Sequence, residues 1–187
     1  LDFRVFSTHH MEPLDEKLVV TRACPQSRTV YELNAEPAAE VYARAVGVSL
    51  DELDRKVFAL RPLGVRVGGN YFVRSIQRVN TDRSLTFYCA VETGIVMTAM
   101  APGSLLDSVR TQIEASERVV GTPLVTLGCD CFLRRLEAEL TGQSDAVSEF
   151  LKAHRVVGFN TYGEQFNGMH INQTFTGVVI GQPEFST

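Results

Sequence analysis

The sequence predicts an α+β fold, a largely antiparallel sheet with helices packed on it. The first sign is the stretch 64–101, where β-like runs at 65–67, 71–79, 85–91 and 95–101 are separated only by Gly68-Gly69-Asn70, Asn80-Thr81-Asp82 and Glu92-Thr93-Gly94. A parallel return needs a crossover of roughly a dozen residues or more, so turns this short imply antiparallel neighbours in a meander. Apolar stripes at helical spacing on both sides of this stretch are the second sign. The third is the supply of apolar material: 44% of the 187 residues are hydrophobic and 21% charged, enough to bury a core of single-domain size.

In chain order, residues 1–28 hold the His9-His10 pair, Pro13, an acidic cluster and Pro25; they lack a clean period and read as a connecting segment. A strand at 29–33 leads to a helix opened by Pro37, a residue suited to a first helical turn, with Ala38, Val41, Tyr42 and Ala45 on one face. Ser49-x-x-Glu52 has the capping-box pattern, which predicts a second helix carrying Leu50, Leu53, Val57 and Leu60 as its apolar stripe. After the β stretch, Ser104-x-x-Asp107 caps a helix bearing Leu105, Val109 and Ile113. A strand at 123–127, helices around 130–140 and 145–154, a strand at 156–160 and a final strand at 173–181 complete the series. No internal repeat is present.

The net charge of −4 argues against a nucleic-acid partner, which normally leaves a basic footprint. No run approaches the roughly eighteen apolar residues of a membrane span, so no membrane partner is expected. No basic-then-apolar leader opens the chain, although residue 1 is Leu rather than Met and the sequence reads as trimmed. Four cysteines in 187 residues are too few for a disulfide scaffold, so reduced thiols in a cytoplasmic protein are expected. Cys89 alternates with apolar neighbours and reads as a core strand residue. Cys129-Asp130-Cys131 falls at the predicted start of a helix, where the helix N-terminus would lower a thiol pKa.

The stretch 158–181 carries the most chemistry. Two β-like segments flank a polar, Gly-punctuated turn that gathers Tyr162, Glu164, Phe166, Met169 and His170 among the amides of Asn160, Asn172 and Gln173. No nucleophile stands beside a base, so the mix suits holding a ligand and no enzyme is expected. Glu164 hydrogen-bonds either a ligand or the backbone. His170 is either a metal ligand or a turn histidine bonded to its neighbours. His154 reads as a helix C-cap, and His9 and His10 as solvated. Arg134 and Arg135 lie on a helix, either as an exposed face or with one of them stacked inward. Phosphate loops, hydrolase elbows and paired helix histidines are absent from the sequence.

Gly158-Phe159-Asn160-Thr161-Tyr162-Gly163-Glu164-Gln165-Phe166, followed by Asn172-Gln173-Thr174-Phe175-Thr176-Gly177, resembles the signature of the C-terminal FIST domain. That domain is a sensory module of bacterial signalling proteins, found also in certain eukaryotic F-box proteins. The resemblance extends upstream through Tyr31-Glu32-Leu33-Asn34 with Pro37-Ala38, the segment 69–76, and Gly128-Cys129 through Arg134-Arg135. It implies three parts: 1–28 as linker or tail of a preceding FIST N-terminal domain, 29–182 as the FIST C-terminal sensory domain, and 183–187 as a tail.

The resemblance implies ligand sensing in signal transduction. One branch of the family binds haem and senses nitric oxide, signalling through a histidine kinase or a cyclic-di-GMP enzyme, and the form Gln165-Phe166-Asn167-Gly168-Met169-His170 looks closest to that branch. On this reading haem b is the cofactor and His170 supplies the axial imidazole. Phe159, Phe166 and Met169 form the apolar wall, Tyr162 and Glu164 line the site, and arginines such as Arg66, Arg74 and Arg78 meet the propionates. Cys129 and Cys131 are alternative haem ligands or redox thiols, members of a zinc site with His170 and either Cys24 or another histidine, or inert buried thiols. The other reading is a haem-free module that binds a small molecule or a protein partner. A homodimer is possible on either.

Overall fold

The computed structural model describes residues 1–182; the tail expected at 183–187 lies outside the described residues. In order the elements are β1 (Phe3–Ser7), β2 (Met11–Cys24), β3 (Thr29–Leu33), β4 (Glu36–Pro37), α1 (Ala38–Val46), α2 (Arg55–Leu60), β5 (Leu63–Val67), β6 (Asn70–Arg74), β7 (Ile76–Val79), β8 (Leu85–Phe87) and β9 (Val96–Pro102). They continue as α3 (Leu105–Val120), β10 (Pro123–Cys131), α4 (Phe132–Leu140), α5 (Ser144–Ala153), β11 (Val156–Thr161), β12 (Glu164–Phe166), β13 (Met169–Ile171) and β14 (Phe175–Gly181). The class is α+β, as the sequence predicts. The chain forms two compact units: a middle unit, Met11–Gly103, and a split unit that joins Leu1–His10 to the described residues from Ser104 onward.

The middle unit is built on one antiparallel sheet of order β6-β5-β9-β2-β3-β8-β7, with β4 paired to β3. The expected meander survives only in the hairpins β5–β6 and β7–β8. The central strand is β2, drawn from the segment that reads as a connection. Its first half pairs with β9 and its second with β3, and the register shifts between Pro13 and Lys17. A strand proline needs such an irregularity, and the irregularity destroys the alternation by which a strand is recognised. The expected strand 71–79 breaks at Ser75, and its halves β6 and β7 end at opposite edges of the sheet. Cys89 lies just beyond β8, not on a strand, yet is buried, and burial raises its thiol pKa.

Helix α1 buries Ala38, Val41 and Tyr42 in a core with Leu18, Val20, Leu33 and Phe87. The Tyr42 hydroxyl donates to the Arg61 carbonyl at 2.7 Å. The capping box forms as written, Ser49 N and Oγ donating to Glu52 Oε2 at 2.8 and 2.6 Å, but it closes a 3-10 turn over Leu50–Glu52. The helix itself starts later, at Arg55, where Asp54 accepts from the Lys56 and Val57 amides.

The split unit has a four-stranded sheet of order β1-β14-β10-β11, in which only β10 and β11 are parallel. Helix α3, capped as expected by Ser104 accepting from the Asp107 amide at 3.2 Å, and α5 cover one face. There Phe6, Val109, Ile113, Phe150, Phe175 and Val179 pack together. A row of glycines, Gly177-Gly128-Gly158, runs across β14, β10 and β11 under that layer. A Cβ at Gly128 would stand 2.4 Å from the Phe175 ring, and one at Gly177 2.7 Å from Phe6, so the missing side chains are what let both rings lie on the sheet. Among the described residues no helix is long and apolar enough to cross a membrane.

Candidate functional site

The polar turn of the sequence folds as the hairpin β12–β13, with Glu164 opposite Ile171, Gln165 opposite His170 and Phe166 opposite Met169. Because strand side chains alternate, Glu164, Phe166, Met169 and Ile171 share one face, and His170 lies on the other with Gln165. Glu164 is buried and accepts from the hydroxyls of Thr161 and Thr174. Burial raises its pKa, and those two hydrogen bonds partly offset the rise. Tyr162 is 72% exposed, its ring resting 4.8 Å from that of Phe132.

Cys131 is the N-cap of α4, yet its thiol is pushed up to about 11, first by burial and then by the nearby Glu164 carboxyl. The expected lowering by the helix N-terminus is therefore overturned: desolvation outweighs the dipole at a fully buried sulfur. All four cysteines are free thiols. Among the described residues no three His, Cys, Asp or Glu side chains group as a metal site would require.

A second polar centre forms on the opposite face of β10. Asp130, adjacent to Cys131, turns toward α4, and Arg134 Nε donates to its Oδ1 at 2.7 Å. Arg134 is 1% exposed. Its Nη1 donates to His10 Nδ1 at 3.1 Å, and a guanidinium has no acceptor, so that ring nitrogen must carry the lone pair. The ring proton is then on Nε2, which donates to Glu137 Oε2 at 2.7 Å. His10 is thus not solvated as expected but buried between two helix residues. The segment before it is fixed by Thr8, whose amide donates to the Phe175 carbonyl and whose hydroxyl accepts from the Phe175 amide. Arg135 instead points outward and pairs with Glu139 at 3.0 Å. Arg134 Nη2 is buried and has no hydrogen-bond partner among the described residues.

Asp130 and Arg134 line a cleft of about 350 Å³ with Asn160 and the apolar Leu105, Val147 and Leu151. A neighbouring cavity of about 230 Å³ shares Asp130, Leu151 and Asn160 with it and includes Gly128 and Gly158 in its lining. Asn160 stands opposite Asp130 in the parallel pair and donates to its carbonyl at 3.3 Å. The cleft therefore opens at the carboxyl ends of β10 and β11, the end of a parallel pair where α/β sheets take their ligands. Burial raises the Asp130 pKa, opposed chiefly by the charge of Arg134. The Asp130–Arg134 spacing of four is readable from sequence, whereas His10 reaches it from 124 positions away.

The residues expected to hold haem do not fit that group as folded. An axial imidazole must offer a ring lone pair, but His170 Nε2 faces the Asn172 amide nitrogen at 3.2 Å. It also stands over Gly163, where a Cβ would come within 2.7 Å of it. Phe166 and Met169, the expected wall, lie on the hairpin face away from His170. His154 Nδ1 is bonded to Glu117 at 2.8 Å and its ring stacks on Phe150, so this helix-end histidine is also engaged. Arg66, Arg74 and Arg78 belong to the middle unit: Arg74 donates to the Val73 carbonyl at 3.2 Å, Arg78 to Asn80 at 3.0 Å, and Arg66 lies over Tyr71.

No curated protein and no solved structure matches the chain. Two protein-family models do: the FIST N domain over residues 1–36 and the FIST C domain over residues 38–167. The second spans more than half of the sequence, and the chain belongs to the FIST family, whose domains are sensor modules of signal transduction.

Proposed function

We propose that the split unit is a haem-free small-molecule sensor, that its ligand enters the cleft at the carboxyl ends of β10 and β11, and that Arg134 reads its arrival. The observation that carries this reading is the buried Arg134, with Nη2 unsatisfied, in the lining of a cleft of about 350 Å³. An unpaired buried donor costs about 1–3 kcal/mol, so a ligand acceptor that reaches it recovers binding energy at that point. Nη2 is shielded in this state, so the ligand must draw the guanidinium outward. The group is rigid and planar, and a turn that presents Nη2 to the cleft pulls Nη1 away from His10 Nδ1. Loss of that bond frees His10 at the residue where the chain leaves the split unit, a change that a signalling partner such as a histidine kinase or cyclic-di-GMP enzyme could read. The charges lining the cleft cancel, Asp130 against Arg134 and Glu139 against Arg135, which favours a neutral ligand with a polar head and an apolar body.

The haem reading, with nitric oxide as the signal, rests on the family resemblance and on His170, and would require that imidazole to leave Asn172. One experiment separates the two. The Arg134 Nε–H resonance is followed by NMR while benzamide, benzoate and benzamidinium, isosteres of different charge, are added in turn, and haem is titrated in parallel. The expected result is a saturable shift, largest with benzamide and lost in Ser148→Phe, which puts a ring at an exposed residue of the cleft lining. No shift with any of the three would overturn the cleft reading, and stoichiometric haem uptake with a Soret band lost in His170→Ala would replace it.

A further inference from the structure

The face of the split unit's sheet turned away from α3 and α5 carries apolar side chains in register, across all four strands in one row and across three in the next. One row is Val5-Val178-Leu127-Val157, the next Phe3-Ile180-Val125, and a third places Thr176, Cys129 and Phe159 side by side. The hairpin β12–β13 closes one end, where Thr174 donates to Glu164 and Cys131 is fully buried. Phe3, Val5, Leu127, Val157 and Phe159 are between 46% and 69% exposed. No charged side chain interrupts the three rows.

We propose that this face is a homodimer interface, on which a second copy of the chain packs sheet to sheet about a two-fold axis. The occupant follows from area and chemistry. The exposed fractions of these side chains add to roughly 600 Å² per copy, so two copies bury about 1,200 Å², above the roughly 1,000 Å² that a specific interface needs. A patch of this size lies at the upper end for a monomer surface. A second copy presents the same uncharged rows and so buries no unpaired charge, and two twisted sheets of this width pack aligned with their inner side chains interdigitated. The assignment does not depend on the ligand cleft, which opens on the opposite face.

The test is sedimentation equilibrium of the chain over a range from low micromolar to several hundred micromolar. The expected result is a concentration-dependent dimer of twice the chain mass, reduced to monomer in Val5→Lys and in Phe159→Lys. Both positions are exposed in the single chain, so circular dichroism should be unchanged in the variants. Cys129 supplies a local readout without being altered: its alkylation should slow as the wild-type protein is concentrated and become concentration-independent in Val5→Lys, two strands away. A monomer at every concentration overturns the proposal, as does a dimer indifferent to both substitutions.

Discussion

His10 and Glu137 form a buried pair with side chains 0% and 1% exposed, and removing the carboxylate leaves the His10 Nε2–H desolvated and without an acceptor, although Arg134 still holds Nδ1. Glu137→Ala should therefore lower unfolding stability by about 1–3 kcal/mol in urea titrations, more than truncating Arg135, whose pair with Glu139 is exposed. A second expectation concerns pH. Glu164 has a raised pKa in the folded state, so the fold holds that proton more tightly than the unfolded chain, and its contribution is lost as pH rises from the ordinary carboxylate range through the raised value. Glu164→Gln removes that loss, and thermal melts should show the variant gaining on the wild type across that window. Cys131 behaves alike at higher pH: wild-type stability should decline as pH rises from the ordinary thiol range toward about 11, and Cys131→Ala should flatten the decline. At this scale the sequence was only partly readable. Glu164 and His170 stand out because they sit in a polar run, but the partner of Arg134 is a histidine in a distant segment, and local spacing cannot show a bond that the fold makes.

Helix starts test how far local rules reach. Asp54 caps α2, and Asp54→Ala should cost about 1 kcal/mol, whereas Ser49→Ala should cost only a few tenths because its box closes a 3-10 turn; urea midpoints of both variants decide this. The signature at Ser49 is a true local signal, but the helix starts downstream of it, where the Asp54 side chain accepts from two amides. The glycine row supplies another check. Gly128→Ala must displace the Phe175 ring and should destabilise by about 1–3 kcal/mol, and Gly158→Ala by at least as much, since its Cβ would meet the Gly128 backbone carbonyl. Strands 29–33 and 156–160 and helix α3 were legible because their apolar spacing is regular. Strand β2 was not, because its bulge breaks the period and most of its side chains face solvent.

For the whole molecule, the residues matched by the two family models do not coincide with the two compact units. The middle sheet takes β2 and β3 from the part that matches the FIST N domain and β5 to β9 from the part that matches the FIST C domain. The split sheet takes β1 from the former and β10 and β11 from the latter, and β14, bonded on both sides, lies past residue 167. A polypeptide of residues 38–167 alone should accordingly lack cooperative unfolding and dispersed amide resonances, while residues 1–182 keep both. The consequence reaches past this molecule's stability to its history. A gene fusion or exchange made at residue 37 would cut through two sheets at once, so the stretch before it and the stretch after it are bound to be inherited as a pair: they can be shuffled together among signalling proteins, but neither can be lent out alone.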